Sequence, residues 1–174
     1  MNTKHKIINI TRSFQDYPDD ISYCFNIFFA GCDHDCPGCQ NKELQNKEYI
    51  DYTTEYMTPY DLISHIKRNG YVFPPAVAFM GGDPLHEYNI SFVNKFLSTL
   101  SEIPTIIYTG YEVEEAKKRI KSNNFNYLKC GKFDKAKYQE PKKTKDGVWF
   151  ASTNQKLYNR SYTQVSNNGF FSFR

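Results

Sequence analysis

Four short apolar runs, each closed by glycine, constrain this chain more than any other feature. Tyr23 to Phe29 runs into Gly31, Ala76 to Met80 into Gly81 and Gly82, Thr105 to Tyr108 into Gly110, and Tyr127 to Cys130 into Gly131. Such runs fit strands buried on both faces of a parallel sheet. Helical patterns lie between them. Thr58 and Pro59 make an N-cap and first helical residue, Leu62, Ile63 and Ile66 follow at helical spacing, and Asn69 and Gly70 stop the segment. Ile90 to Leu100 carries Phe92, Val93, Phe96, Leu97 and Leu100 on one stripe, and Val113 to Ile120 gives a third helix. This alternation predicts an α/β fold with a parallel sheet, either an open doubly wound sheet or a partial (open) β/α barrel. In both, ligands sit at the carboxyl ends of the strands, so the loops at Gly31, Gly81 and Gly110 gather at one mouth.

A chain of 174 residues fits one domain. Residues 1–174 are read as a single unit in which 132–174 form a less regular C-terminal segment. Lys132, Lys135, Lys137, Lys142, Lys143 and Lys145, with Pro141 and Gly147 nearby, show no apolar period and read as a solvated loop or, alternatively, a docking surface. The tail beyond Tyr162 is polar until Phe170 and Phe171 and reads as loose. A net charge of +3 spread over both signs lacks the clustered footprint of a nucleic-acid binder. No apolar run is long enough to span a bilayer, and Met1 to Ile10 lacks the apolar segment of a signal peptide, so no membrane partner and a cytoplasmic location are expected.

The five cysteines are an odd number, and Cys32, Cys36 and Cys39 fall within eight residues, a pattern of metal or redox chemistry rather than of disulfides. Their spacing would also suit one face of a helix, but Pro37 and Gly38 stand between the second and third and oppose a helix interior. A loop wrapping an ion or cluster fits better. Thiolates bind zinc and iron-sulfur clusters alike. A closed zinc site wants four ligands, and this segment offers three sulfurs and His34, with Cys24 or Cys130 as a conceivable fourth. The alternative is a cluster with one iron left open for a ligand. Cys24 reads as core filling, and Cys130, at a strand end, as core or mouth.

Met80-Gly81-Gly82-Asp83-Pro84 follows the second run. Paired glycines let backbone approach a ligand closely, and their carbonyls and Asp83 can accept from an ammonium group. Taken alone, the segment is equally an ordinary strand-to-helix turn. The C-x3-C-x2-C loop with this second segment downstream resembles the radical S-adenosylmethionine superfamily. Further blocks resemble one of its subfamilies, the activating proteins of anaerobic (class III) ribonucleotide reductase. These blocks are Ala30-Gly31-Cys32 through Cys39-Gln40-Asn41-Lys42, Gly81-Gly82-Asp83-Pro84-Leu85-His86, Tyr108-Thr109-Gly110-Tyr111, Gly131-Lys132-Phe133-Asp134 and Ser152-Thr153-Asn154-Gln155.

The resemblance implies a partial β/α barrel and a 4Fe-4S cluster on Cys32, Cys36 and Cys39, whose open iron takes the amino and carboxylate groups of S-adenosylmethionine. It implies that Gly81, Gly82 and Asp83 receive the methionine end, that Gly38 and Gln40 lie at the adenine side, and that Tyr108-Thr109-Gly110 line the nucleoside end. The implied activity is reductive cleavage to methionine and a 5'-deoxyadenosyl radical, which installs a glycyl radical on the reductase. An electron donor such as a flavodoxin is implied with it. The chain departs from the subfamily in three places: Asp16-Tyr17-Pro18-Asp19-Asp20 replaces a glycine-bearing turn, Cys130 replaces an Asp, and Trp149-Phe150-Ala151 replaces a Trp-Arg-Gly. Two rivals stay open, namely an activase of another glycyl radical enzyme or a small-molecule radical enzyme, and a zinc-binding interaction module without catalysis.

Overall fold

The structure, a computed structural model, describes residues 3–14, 16–18, 23–69, 75–99, 102–139, 148, 150–167 and 170–171. The sequence expectations that involve Asp19, Asp20, Gly70, Leu100, Pro141, Lys142, Lys143, Lys145, Gly147 and Trp149 fall outside these residues.

The four apolar runs form strands β3 (Cys24–Phe29), β5 (Ala76–Gly81), β6 (Thr105–Tyr108) and β7 (Tyr127–Cys130). They lie side by side, all parallel, from Cys24↔Ala76 at one end to Tyr108↔Lys129 at the other. The connections carry α1 (Pro59–Asn69), α2 (Ile90–Thr99) and α3 (Val113–Arg119). α1 begins where the sequence places it. Asp61 Oδ2 accepts from the backbone N–H and hydroxyl of Thr58 at 2.8 and 2.9 Å, and the Thr58 hydroxyl accepts in return from the Asp61 N–H at 3.2 Å. This reciprocal pair satisfies donors that the first helical turn leaves open.

The parallel strands follow one another in chain order, so crossovers of one hand put every helix on the same face. Leu62, Ile63 and Ile66 of α1, Phe92, Val93, Phe96 and Leu97 of α2, and Ala116 of α3 accordingly share one core with Phe25, Ile27, Phe29, Val77, Phe79, Ile107 and Leu128. Of the two sheet arrangements the sequence allows, the doubly wound one, with helices on both faces, is not formed. Burying each large apolar side chain in this core contributes about 1.5–3 kcal/mol.

The sheet is mixed rather than purely parallel, with the order β10-β9-β8-β7-β6-β5-β3-β2. β2 (Asn9–Ser13) runs antiparallel to β3, while β8 (Lys156–Asn159), β9 (Gln164–Asn167) and β10 (Phe170–Phe171) continue antiparallel beyond β7. The segment after Lys132, including the tail read as loose, thus contributes three strands. β1 (His5–Ile7) and β4 (Glu55–Met57) form a separate antiparallel pair. These additions are short, and several are polar. They acquire strand geometry from the neighbour they pair with rather than from their own pattern. Among the described residues no helix is long and apolar enough to cross a membrane.

Candidate functional site

The sheet face opposite the helices opens into a cleft of about 460 Å³ at the carboxyl ends of the parallel strands. Cys32, Cys36 and Cys39 line it, as do Gln40, Gly81, Gly82, Tyr108, Thr109 and Gly110. Gly38 and Asp83 are not among the lining residues. The predicted gathering of the three glycine-closed loops is therefore observed, and Gly131 joins them as a fourth.

Backbone bonds hold the cysteine loop against the second loop. Gly31 N–H donates to Leu44 O at 2.7 Å and Cys32 N–H to Gln45 O at 3.1 Å, while Gly82 and Asp83 N–H donate to Phe29 O and Gly31 O at 2.8 Å each. A β-carbon at Gly81 would lie 2.5 Å from Phe29 N, and one at Gly82 would lie 2.6 Å from both Gly31 O and Leu44 O. Since these obstacles are backbone, paired glycines are the condition for bringing the two loops together. Gly38 has φ +77°, a left-handed conformation that lets the chain turn between Cys36 and Cys39.

Asp83 has a more local task than sequence chemistry assigns it. Its carboxylate is buried and accepts from Leu85 N–H at 2.8 Å, from the Thr109 hydroxyl at 3.0 and 2.9 Å, from Gly110 N–H at 2.9 Å and from His34 Nε2 at 2.7 Å. One carboxylate thereby ties the ends of three strands to one another. Gly110 is needed for this closeness, because a β-carbon there would fall on the His34 ring. The His34 ring also meets the edge of Tyr111 at 4.5 Å, and the Arg119 guanidinium caps Tyr111 at 4.1 Å.

Two other ties escape sequence reading. Asn89 is fully buried and its amide donates to both Ala30 O at 3.0 Å and Asp83 O at 2.8 Å, with His5 Nε2 2.9 Å from its Oδ1. His86 Nδ1 accepts from Tyr88 N–H at 3.1 Å, which makes Nε2 the nitrogen that donates to Asp33 Oδ2 at 3.0 Å. Neither residue carries a local signal of its role, since each acts on a segment reached only through the fold.

All five cysteines are free. Burial pushes the Cys32 thiol up to about 11, partly offset by a backbone N–H from His34, and burial also raises Cys36. Thiols held this way keep their protons at neutral pH until a metal ion replaces them. Cys24 and Cys130 are buried, and burial carries Cys24 to about 12 and Cys130 higher still, so both read as inert core residues. Cys32 Sγ, a His34 ring nitrogen and an Asp83 oxygen lie within 4.8 Å of one another, a grouping of metal-ligand types. Asp83 and His34 are already bonded to each other there, which disfavours a closed zinc site on those two. The donors left facing the cleft are the three cysteine sulfurs, which as thiolates are the ligands that hold iron-sulfur clusters.

Fold and site together define an iron-sulfur domain built on parallel strands, and residues 23–158 match the profile of the family described as a 4Fe-4S single cluster domain. Among curated relatives, the anaerobic ribonucleoside-triphosphate reductase-activating protein of Escherichia coli (strain K12) is 30% identical over 159 residues, covering 83% of this chain and 96% of the relative. The proteins of the same name from Salmonella typhi and Enterobacteria phage T4 are 29% and 27% identical, covering 84% and 78% of this chain and 97% and 83% of those relatives. The chain belongs to the 4Fe-4S single cluster domain family, among the anaerobic ribonucleoside-triphosphate reductase-activating proteins.

Proposed function

We propose that this protein is a radical S-adenosylmethionine activating enzyme that installs a glycyl radical on an anaerobic ribonucleoside-triphosphate reductase. The observation that carries the reading is one cleft at the strand ends lined by three free thiols together with the Gly81-Gly82 turn. Cys32, Cys36 and Cys39 would ligate three irons of a 4Fe-4S cluster and leave the fourth open. Gly81 and Gly82 offer bare backbone to the methionine end of S-adenosylmethionine, Asp83 holds that turn in place, and Gly38 and Gln40 serve the adenine side. When bound, the cluster would supply the electron for reductive cleavage of S-adenosylmethionine, the chemistry that an activase uses to abstract a hydrogen atom from a glycine Cα of the reductase.

The helices packed on one face support an open β/α barrel whose inside is the cleft, and the whole chain acts as one domain. An electron donor such as a flavodoxin would reduce the cluster. We assign no role to nucleic acid or membrane and place the protein in the cytoplasm.

Anaerobic reconstitution with iron and sulfide, followed by dithionite and S-adenosylmethionine, tests the cofactor part through 5'-deoxyadenosine release. Adding the reductase and recording electron spin resonance tests the target. A colourless protein that retains zinc and releases no 5'-deoxyadenosine would sink the reading in favour of a zinc module. Cleavage without a glycyl radical would move the activity to another substrate.

A further inference from the structure

Lys129 in β7 is left unused by the iron-sulfur reading. It is only 8% exposed yet lines the cleft. Its ammonium stands 4.7 Å from the Tyr108 ring centre and 5.5 Å from that of Phe150. Among the described residues it has no hydrogen bond and no ion pair. Aromatic faces satisfy a cation only in part. The stem is buried while the ammonium opens onto the cleft, so it is placed to donate to an acceptor on a ligand that enters there.

Asp16 lines the same cleft with the complementary deficit. Both of its side-chain bonds, from the Ser13 hydroxyl at 2.5 Å and the Asn26 amide at 2.7 Å, go to Oδ2. Oδ1 receives no hydrogen bond among the described residues. Asp16 influences Lys129 electrostatically, but the two do not form an ion pair. Among the described residues the cleft thus holds a free donor on Lys129 and a free acceptor atom on Asp16.

Lys129 pairs with Tyr108 at the end of β6, and both line the cleft that the Gly81-Gly82 turn also lines. A glycine presents no side chain, so groups that orient one must read its main chain. We infer that Lys129 and Asp16 are a main-chain-reading pair for the protein substrate, with the Lys129 ammonium donating to a carbonyl oxygen and Asp16 Oδ1 accepting an amide N–H of the inserted peptide segment. This rests on the activase reading above. The two are positioning residues that hold the glycine Cα toward the cofactor.

Lys129→Met keeps the length and removes the donor. With cluster content confirmed by iron and sulfide analysis, the reductase concentration giving half-maximal glycyl radical formation should rise about tenfold, the loss of one charge-assisted hydrogen bond. The half-saturating S-adenosylmethionine concentration should move far less, and more 5'-deoxyadenosine should be released per glycyl radical. Lys129→Gln, a shorter donor, should recover part of the loss and gives the same readout if the Met variant fails to hold its cluster. An equal or larger shift for S-adenosylmethionine would assign the amine to the cofactor and overturn the inference, as would no shift in either. A wild-type protein that cleaves S-adenosylmethionine yet leaves the reductase without a radical would instead break the activase reading itself.

Discussion

Adjacent residues of the same strands meet two different environments. In β7, Leu128 and Cys130 enter the helix-covered core, whereas Tyr127 lies on the opposite face and Lys129 lines the cleft. In β5, Val77 and Phe79 face the helices, and Ala76, Ala78 and Met80 face away. The covered face is filled by large aromatic and aliphatic side chains. The open face has Cys24, Ala76 and Ala78 at its base and carries Asn26, Asp16, Tyr108 and Lys129. The period-two alternation of a strand allows this division, so stability and chemistry can be altered separately in one element.

The sharpest way to break the comparison is to substitute the cysteine loop. Cys36→Ala or Cys39→Ala should abolish cluster retention and S-adenosylmethionine cleavage while leaving thermal unfolding of the cluster-free protein nearly unchanged. Iron content and a melting curve read the two effects independently. On the covered face the effect should invert. Phe79→Ala removes a fully buried ring and should cost about 3–5 kcal/mol in a denaturant titration.

Lys129 sharpens the contrast because it is a polar group buried by the fold for use at the site. Burial lowers its pKa to about 8. Between that value and the ordinary lysine value the unfolded chain still binds a proton that the folded chain has released, so stability rises with pH across this window. The gain should approach about 3 kcal/mol at most and should vanish in Lys129→Met, as measured by urea unfolding of the cluster-free protein from pH 7 to 10. The smallest effect is expected at the rim. Thr109→Val removes the hydroxyl that Asp83 accepts, which should cost about 1.5–3 kcal/mol and loosen the cysteine loop, seen as faster cluster loss on dilution.

The parallel centre was legible because each of its strands is buried on both faces and must therefore be apolar nearly throughout. Ala76 to Met80 and Thr105 to Tyr108 declare themselves without help from their neighbours. β2, β8 and β9 were not legible. Asn9–Ser13, Lys156–Asn159 and Gln164–Asn167 are mixed sequences that become strands only when an edge is offered to them. The thiols and paired glycines of the site were likewise readable, since few residue types perform those tasks. The partners of Asp83 were not, because His34 and Thr109 stand 49 and 26 residues away from it.

The sequence by itself determined the order of the four parallel strands and the three helices between them, the three thiols around Pro37-Gly38, and the paired glycines that close the second parallel strand. The tertiary structure decided which face the helices cover, that Asp83 joins three strand ends, and that Lys129 faces the cleft beside two aromatic rings with no ion pair among the described residues. The physical reason is range. Backbone conformation and side-chain chemistry act within a few residues and leave a local pattern, whereas burial and hydrogen-bond pairing are settled by whatever the folded chain brings alongside.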